Sequence, residues 1–198
     1  LATVVLFAAI WAMFGDPKVQ ALHDEVGKAC VERTVYMIGP QRGARLAELV
    51  RRAKPRLVLE CGTAIGYSGL WIARELKAAG SGRLVTIEIS PERAREAEEN
   101  FRKAGLADVV TVKVGDARKL AGEIEGPIDF AFIDCNFENY EPVFQGLEPR
   151  LRDGALLVAD NVLIGAGPMA GFLDKIRSRY SSRSEWFEKD IPWCEIDA

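Results

Sequence analysis

Leu59-Glu60-Cys61-Gly62-Thr63-Ala64-Ile65-Gly66-Tyr67-Ser68 marks the point where a short apolar run gives way to a helical pattern. The run before it, RLVLE (Arg56–Glu60), reads as a strand, and Ser68–Ala79 after it has helical spacing. Gly62 and Gly66 let the backbone turn tightly and approach a ligand, and the helix N-terminus that follows suits an anionic group. Ser68 either caps that helix or binds a carboxylate directly. The spacing is G-x-x-x-G rather than the G-x-G-x-x-G of dinucleotide folds, which weakens a nicotinamide reading. Taken alone, such a pair is also found in a plain strand-to-helix turn.

Working outward, the same alternation continues. Further strands read RLVTIEI (Arg83–Ile89), VVTVKV (Val109–Val114), IDFAFID (Ile128–Asp134) and ALLVAD (Ala155–Asp160). These are apolar runs rather than strict alternations, as expected for strands covered on both faces. Helical spacing occupies Pro91–Ala104 and Asn139–Leu151. The first of these has Ser90 as N-cap, Pro91 in the first turn and Gly105 just past the end. Three helices come earlier: Leu1–Phe14, about Val19–Thr34, and Arg42–Ala53. The fold class is therefore α/β, with a doubly wound, mostly parallel sheet and extra N-terminal helices. No repeat or linker divides the chain, so one domain is expected, with helices over 1–54 and the α/β core over 55–198. Ligands of such sheets bind at the carboxyl ends of the strands, near the switch in strand order.

The composition excludes several classes. The 198 residues are 48% hydrophobic and 28% charged, with a net charge of −3, which is ordinary globular usage without the basic excess of a nucleic-acid binder. Cys30, Cys61, Cys135 and Cys194 lie far apart and read as reduced thiols, so a cytoplasmic location is expected. The only histidine, His23, rules out a His-rich zinc site and sits in no hydrolase motif. Leu1–Phe14 carries no charge, but its fourteen residues fall short of the roughly 20 that span a bilayer. It reads as a buried helix ending at Gly15, with Asp16 and Pro17 opening the next; a shortened anchor is the alternative.

Polar residues gather at the strand ends. Glu88 closes the second strand, some twenty-odd residues past the glycine turn, and is placed to accept two ribose hydroxyls. Asp116 and Ala117 follow the third strand, where Asp116 either meets an adenine amino group or caps the next helix. Asp134 ends the fourth strand, and Asp160-Asn161 end the fifth. Two carboxylates and an amide without His or Cys make a hard-oxygen set suited to Mg²⁺ or Ca²⁺.

These residues resemble the S-adenosylmethionine-dependent, divalent-metal-dependent O-methyltransferases, in particular the catechol O-methyltransferase branch. The likeness runs over nearly the whole chain and includes YMIGPQRG (Tyr36–Gly43), LECGTAIGYS (Leu59–Ser68), TIEIS (Thr86–Ser90) and ADNVLIGAG (Ala159–Gly167). It implies the class I, Rossmann-like methyltransferase fold, with S-adenosylmethionine and Mg²⁺ as cofactors. It also implies that Glu60, Gly62, Gly66, Tyr67 and Ser68 cradle the methionine part of the cofactor. Glu88 would then hold the ribose, Ile89 pack on the adenine, and Ile38 and Gly39 close the pocket. Asp116, Ala117 and Asp134 complete the cofactor set, and Asp134, Asp160 and Asn161 match the magnesium ligands. The implied partner is a small-molecule acceptor with vicinal oxygens, taken up by a monomer or homodimer, with neither nucleic acid nor membrane involved.

Two departures stand out. Phe137 occupies the position where the family usually places a lysine general base, three residues after Asp134. Either the metal alone acidifies the hydroxyl, or Glu138 or Asp190 serves, or the acceptor is not a catechol. The family also finishes with an antiparallel pair of strands. Glu185–Lys189 reads as the penultimate strand, leaving the final antiparallel strand missing. Pocket walls are expected from Tyr36, Met37, Phe137, Pro168 and the Trp193 region. The alternatives are a cofactor-binding protein of the same fold with weakened catalysis, and another doubly wound enzyme such as a nicotinamide oxidoreductase or aminopropyl transferase.

Overall fold

The computed structural model of the chain describes residues 16–162 and 167–185, together with the backbone of 193–197. The helix expected over Leu1–Phe14 lies outside the described residues. The chain then forms α1 (Pro17–Glu32) and α2 (Gly39–Ala53). The Asp16 side chain accepts from the Lys18 amide and Pro17 fixes the first turn, so α1 begins two residues before the expected start. Pro40 likewise starts α2 ahead of Arg42, and Lys54 ends it in a left-handed conformation just before Pro55.

Strand and helix then alternate as β1 (Leu57–Cys61), α3 (Tyr67–Ala79), β2 (Arg83–Glu88), α4 (Pro91–Lys103), β3 (Val110–Val114), α5 (Ala117–Leu120) and β4 (Ile128–Ile133). They are followed by α6 (Tyr140–Leu147), β5 (Leu151–Ala159), α7 (Ala170–Arg179), β6 (Ser181–Glu185) and β7 (Trp193–Asp197). The sheet order is β3-β2-β1-β4-β5-β7-β6, with β1 to β5 mutually parallel. Strand order reverses between β1 and β4, and a crevice at their carboxyl ends is the consequence.

In β1, β2, β4 and β5 alternate residues serve opposite cores, which is why those runs are largely apolar; the edge strand β3 packs on one face only. Val58, Leu84, Phe130, Phe132 and Val158 pack with α1 to α4, whereas Leu59, Val85, Ile87, Ala131, Ile133 and Leu157 pack with α6 and α7. At the opposite end of the sheet, buried Asp129 of β4 accepts from the Arg56 and Leu57 amides at 2.8 and 2.9 Å and pairs with Arg152 of β5 at 3.1 Å. One carboxylate thus fixes the register of three strands.

Three sequence expectations need correction. Strand β5 starts at Leu151 rather than Ala155, because a register shift lets exposed Arg152, Asp153 and Gly154 bulge out of the pairing with β4. The penultimate strand begins earlier than expected, at Ser181, and is described over Ser181–Glu185; residues 186–189 of the expected Glu185–Lys189 lie outside the described residues. The final antiparallel strand is present: β7 runs antiparallel to both β5 and β6, pairing Ala159 with Cys194 and Ser181 with Asp197. Ser-Ser-Arg-Ser-Glu has no apolar periodicity, because as an edge strand it is ordered by main-chain pairing. Among the described residues no helix is long and apolar enough to cross a membrane.

Candidate active site

The loop after β1 turns with Gly62 at φ 111°, and a Cβ there would collide with the Asp134 carbonyl oxygen arriving from β4. The residue must therefore be glycine for the two strand ends to meet. Gly66, at φ 94°, takes the cap position of α3. Ser68 is therefore inside the helix, and its hydroxyl donates to Glu60 Oε1 at 2.5 Å rather than capping. Thr86 donates to Glu60 Oε2 at 2.6 Å.

Glu60 is fully buried, and burial pushes its carboxyl up to about 7 despite those two donors. It is fully enclosed and is not among the residues that line the cavity. Gly39 and Gly66 also stay out of the lining.

The lining belongs to a cavity of about 820 Å³ at the carboxyl ends of β1, β2 and β4. Gly62, Tyr67, Ser68, Glu88, Ile89, Asp116, Ala117, Asp134, Asp160 and Asn161 all line it, as do Ile38, Phe137 and Glu138. The Glu88 carboxylate accepts from the Ala64 amide at 2.8 Å and the Ser90 amide at 3.0 Å. Two backbone donors thus fix its orientation while it remains at the cavity. Asp116 caps α5, accepting from the Arg118 amide at 2.9 Å and pairing with the Arg118 guanidinium. At the rim Ile89 is 68% exposed and Tyr36 91% exposed, leaving apolar and aromatic surface open to a ligand.

On the β4–β5 side, the parallel ladder runs past the strand ends through Asp134 N to Cys61 O at 2.9 Å and Asp160 N to Ile133 O at 3.1 Å. This sets Asp134 and Asp160 side by side. Asn161 adopts φ 57° and donates from Nδ2 to Asp134 Oδ1 at 3.4 Å. Buried Tyr140 donates to the Asp160 carbonyl at 3.0 Å. Burial and the neighbouring Asp160 charge raise the Asp134 carboxyl well above the usual range, offset in part by Arg42.

Two adjacent carboxylates and an amide, with Asp160 buried and Asp134 and Asn161 half-buried, fit a hard divalent cation. Among the described residues no group of three His, Cys, Asp or Glu gathers as a metal site; the oxygen donors at this corner are the two carboxylates and the Asn161 amide. Cys135 next door supplies no thiolate, because burial and the Asp134 charge push it up to about 12.

The sequence reading did not single out Arg42. It is buried, donates from Nε to the Ile38 carbonyl at 2.8 Å, and pairs through Nη1 with Asp160 Oδ1 at 2.6 Å. An arginine in an amphipathic helix gives no sign of its direction, so only the fold reveals it. Asp190 lies outside the described residues, the Trp193 side chain is not described, and exposed Pro168 is not part of the lining.

Comparison with known proteins matches residues 59–162 to the methyltransferase domain family. A catechol O-methyltransferase of Mycobacterium tuberculosis is 41% identical over 137 residues, covering 67% of this chain and 60% of that protein. The catechol O-methyltransferase of Mus musculus is 31% identical over 190 residues, covering 92% and 69%. Among solved structures, the O-methyltransferase from Bacillus cereus in complex with SAH superposes with a TM-score of 0.79 at 25% identity, over 90% of this chain and 91% of that one. The chain spans about three fifths of the length of the first curated relatives it matches.

Proposed function

We propose that this chain, which belongs to the S-adenosylmethionine-dependent O-methyltransferase family, transfers a methyl group to one hydroxyl of a small catechol-like acceptor held by a divalent cation. What carries the reading is one cavity with Glu88 at the end of β2 and Asp134, Asp160 and Asn161 at the ends of β4 and β5. The first side presents a carboxylate suited to a ribose diol, and the second a set of hard oxygen donors.

When bound, S-adenosylmethionine supplies a cationic methyl donor, and Mg²⁺ supplies charge that favours the ionised acceptor hydroxyl. The chain's own residues do the rest. Glu88 is pre-oriented by the Ala64 and Ser90 amides, so accepting two ribose hydroxyls requires no rearrangement. Ile38 and Tyr67 wall the cavity, and Ile89 offers an exposed aliphatic face for an adenine ring. Asp134, Asp160 and Asn161 would hold the cation, relieving the repulsion between the two carboxylates. Phe137 lines the acceptor end and takes no proton. Exposed Glu138, also in the lining, is a described side chain at that end able to accept one. Fixing donor and acceptor in one enclosed geometry provides the remaining acceleration.

The test is release of S-adenosylhomocysteine from S-adenosylmethionine with a catechol panel, with Mg²⁺ and again with a chelator. Turnover abolished by the chelator supports the reading. Turnover indifferent to the chelator removes the cation from it, and failure to bind S-adenosylmethionine in calorimetry overturns it.

A further inference from the structure

Two walls of the cavity come from distant parts of the chain. Thr34 to Ile38, linking α1 to α2, form one wall, and Asp160-Asn161 at the end of β5 belong to the other. Arg42 joins them with a single guanidinium. Its Nε donates to the Ile38 carbonyl at 2.8 Å, and its Nη1 donates to Asp160 Oδ1 at 2.6 Å and to Asn161 Oδ1 at 3.4 Å. The side chain is 7% exposed and that of Asp160 is 2% exposed, so the bridge is shielded from water and its charge-assisted bonds are strengthened.

We infer that Arg42 is a positioning residue that couples the cofactor and cation sites, so that each ligand tightens the binding of the other. This rests on the cofactor and cation reading given above. A cofactor seated against the 34–38 segment fixes the Ile38 carbonyl and with it the guanidinium. A fixed guanidinium holds one oxygen of Asp160 and steadies Asn161, two of the three candidate cation ligands. Ordering done by one ligand need not be repeated by the other, which is positive coupling without any change of fold. The bridge needs two N–H vectors diverging from one planar group. Lysine keeps the charge but not the fork.

The experiment is calorimetry of S-adenosylhomocysteine, whose neutral sulfur removes direct repulsion with a cation. Binding is measured with and without saturating Mg²⁺ for wild type, Arg42→Lys and Arg42→Met. The wild type should bind S-adenosylhomocysteine about fivefold or more tighter with Mg²⁺, and Mg²⁺ tighter by the same factor with S-adenosylhomocysteine. In both variants each ligand should still bind, with the coupling factor reduced to within about twofold of unity. Coupling retained by Arg42→Lys would assign the effect to charge and overturn the bridge. Hydrogen exchange of the 34–42 backbone in wild type needs no substitution: Mg²⁺ alone should slow it, and unchanged exchange overturns the inference even if the variants fold poorly. A wild type that binds both ligands independently overturns only this inference. A wild type that binds S-adenosylhomocysteine but no Mg²⁺ overturns the cation reading as well.

Discussion

Ser68 and Glu60, eight residues apart, meet at 2.5 Å beneath the turn that ends β1, and Thr86 closes the second carboxylate oxygen from β2. Because burial raises Glu60 to about 7, the folded protein holds a proton there that the unfolded chain has released. The fold therefore loses stability as pH rises from about 4.5 to about 7, by a few kcal/mol at most. Glu60→Gln should flatten that dependence. Denaturant midpoints of wild type and variant should diverge in the variant's favour between pH 5 and pH 7.5. Parallel curves would mean that Glu60 is ionised at all these pH values.

Gly62→Ala places a methyl group against the Asp134 carbonyl at φ 111°. The backbone conformation alone should cost about 1–3 kcal/mol. The loss should show in thermal unfolding, and S-adenosylhomocysteine affinity should fall as well, because the same turn borders Asp134.

Asp134→Asn keeps the volume and removes one of two adjacent carboxylates, which burial and mutual repulsion disfavour in their ionised form. In the presence of a chelator the melting temperature should rise, by about 2–4 °C for each kcal/mol of repulsion relieved in a chain of this size. Mg²⁺ should no longer raise it further, whereas it should stabilise the wild type. A variant that melts lower in chelator would show that Arg42 already compensates both acids.

Phe137→Lys supplies an amine where the resemblance expects one. Turnover on catechol should rise by about tenfold or more, short of the 10²–10⁴ of a fully aligned general base. The pH–rate profile should acquire a new basic limb. No change in either would show that Phe137 does not stand where the acceptor proton leaves.

β1, β2, β4 and β5 were legible because each is an apolar run serving two cores, while the edge strand β3 alternates valines facing one core with exposed Thr111 and Lys113; the strand ends located Glu88, Asp134, Asp160 and Asn161. Arg42 was hidden: its role depends on a pairing across 118 residues that helical periodicity does not encode. The setting of Glu60 was hidden for a related reason, since a motif shows a carboxylate near the strand end but not that Ser68 and Thr86 hold it inward. The last two strands escaped because β6 is polar and β7 is selected by its partners rather than by its own pattern.

The polarity that concealed β6 has a consequence for life in a crowded solution. A strand at the rim of a sheet offers unpaired main-chain groups to any passing strand, and a greasy one would recruit neighbours into aggregates. Ser181–Glu185 is largely exposed and carries Arg183 and Glu185, with Glu185 clamped to Arg45 of α2 at 2.7 Å. Another chain adding to this rim would have to strip water from those charges. The segment least informative about the fold is thus well suited to keeping the protein from joining itself into fibres.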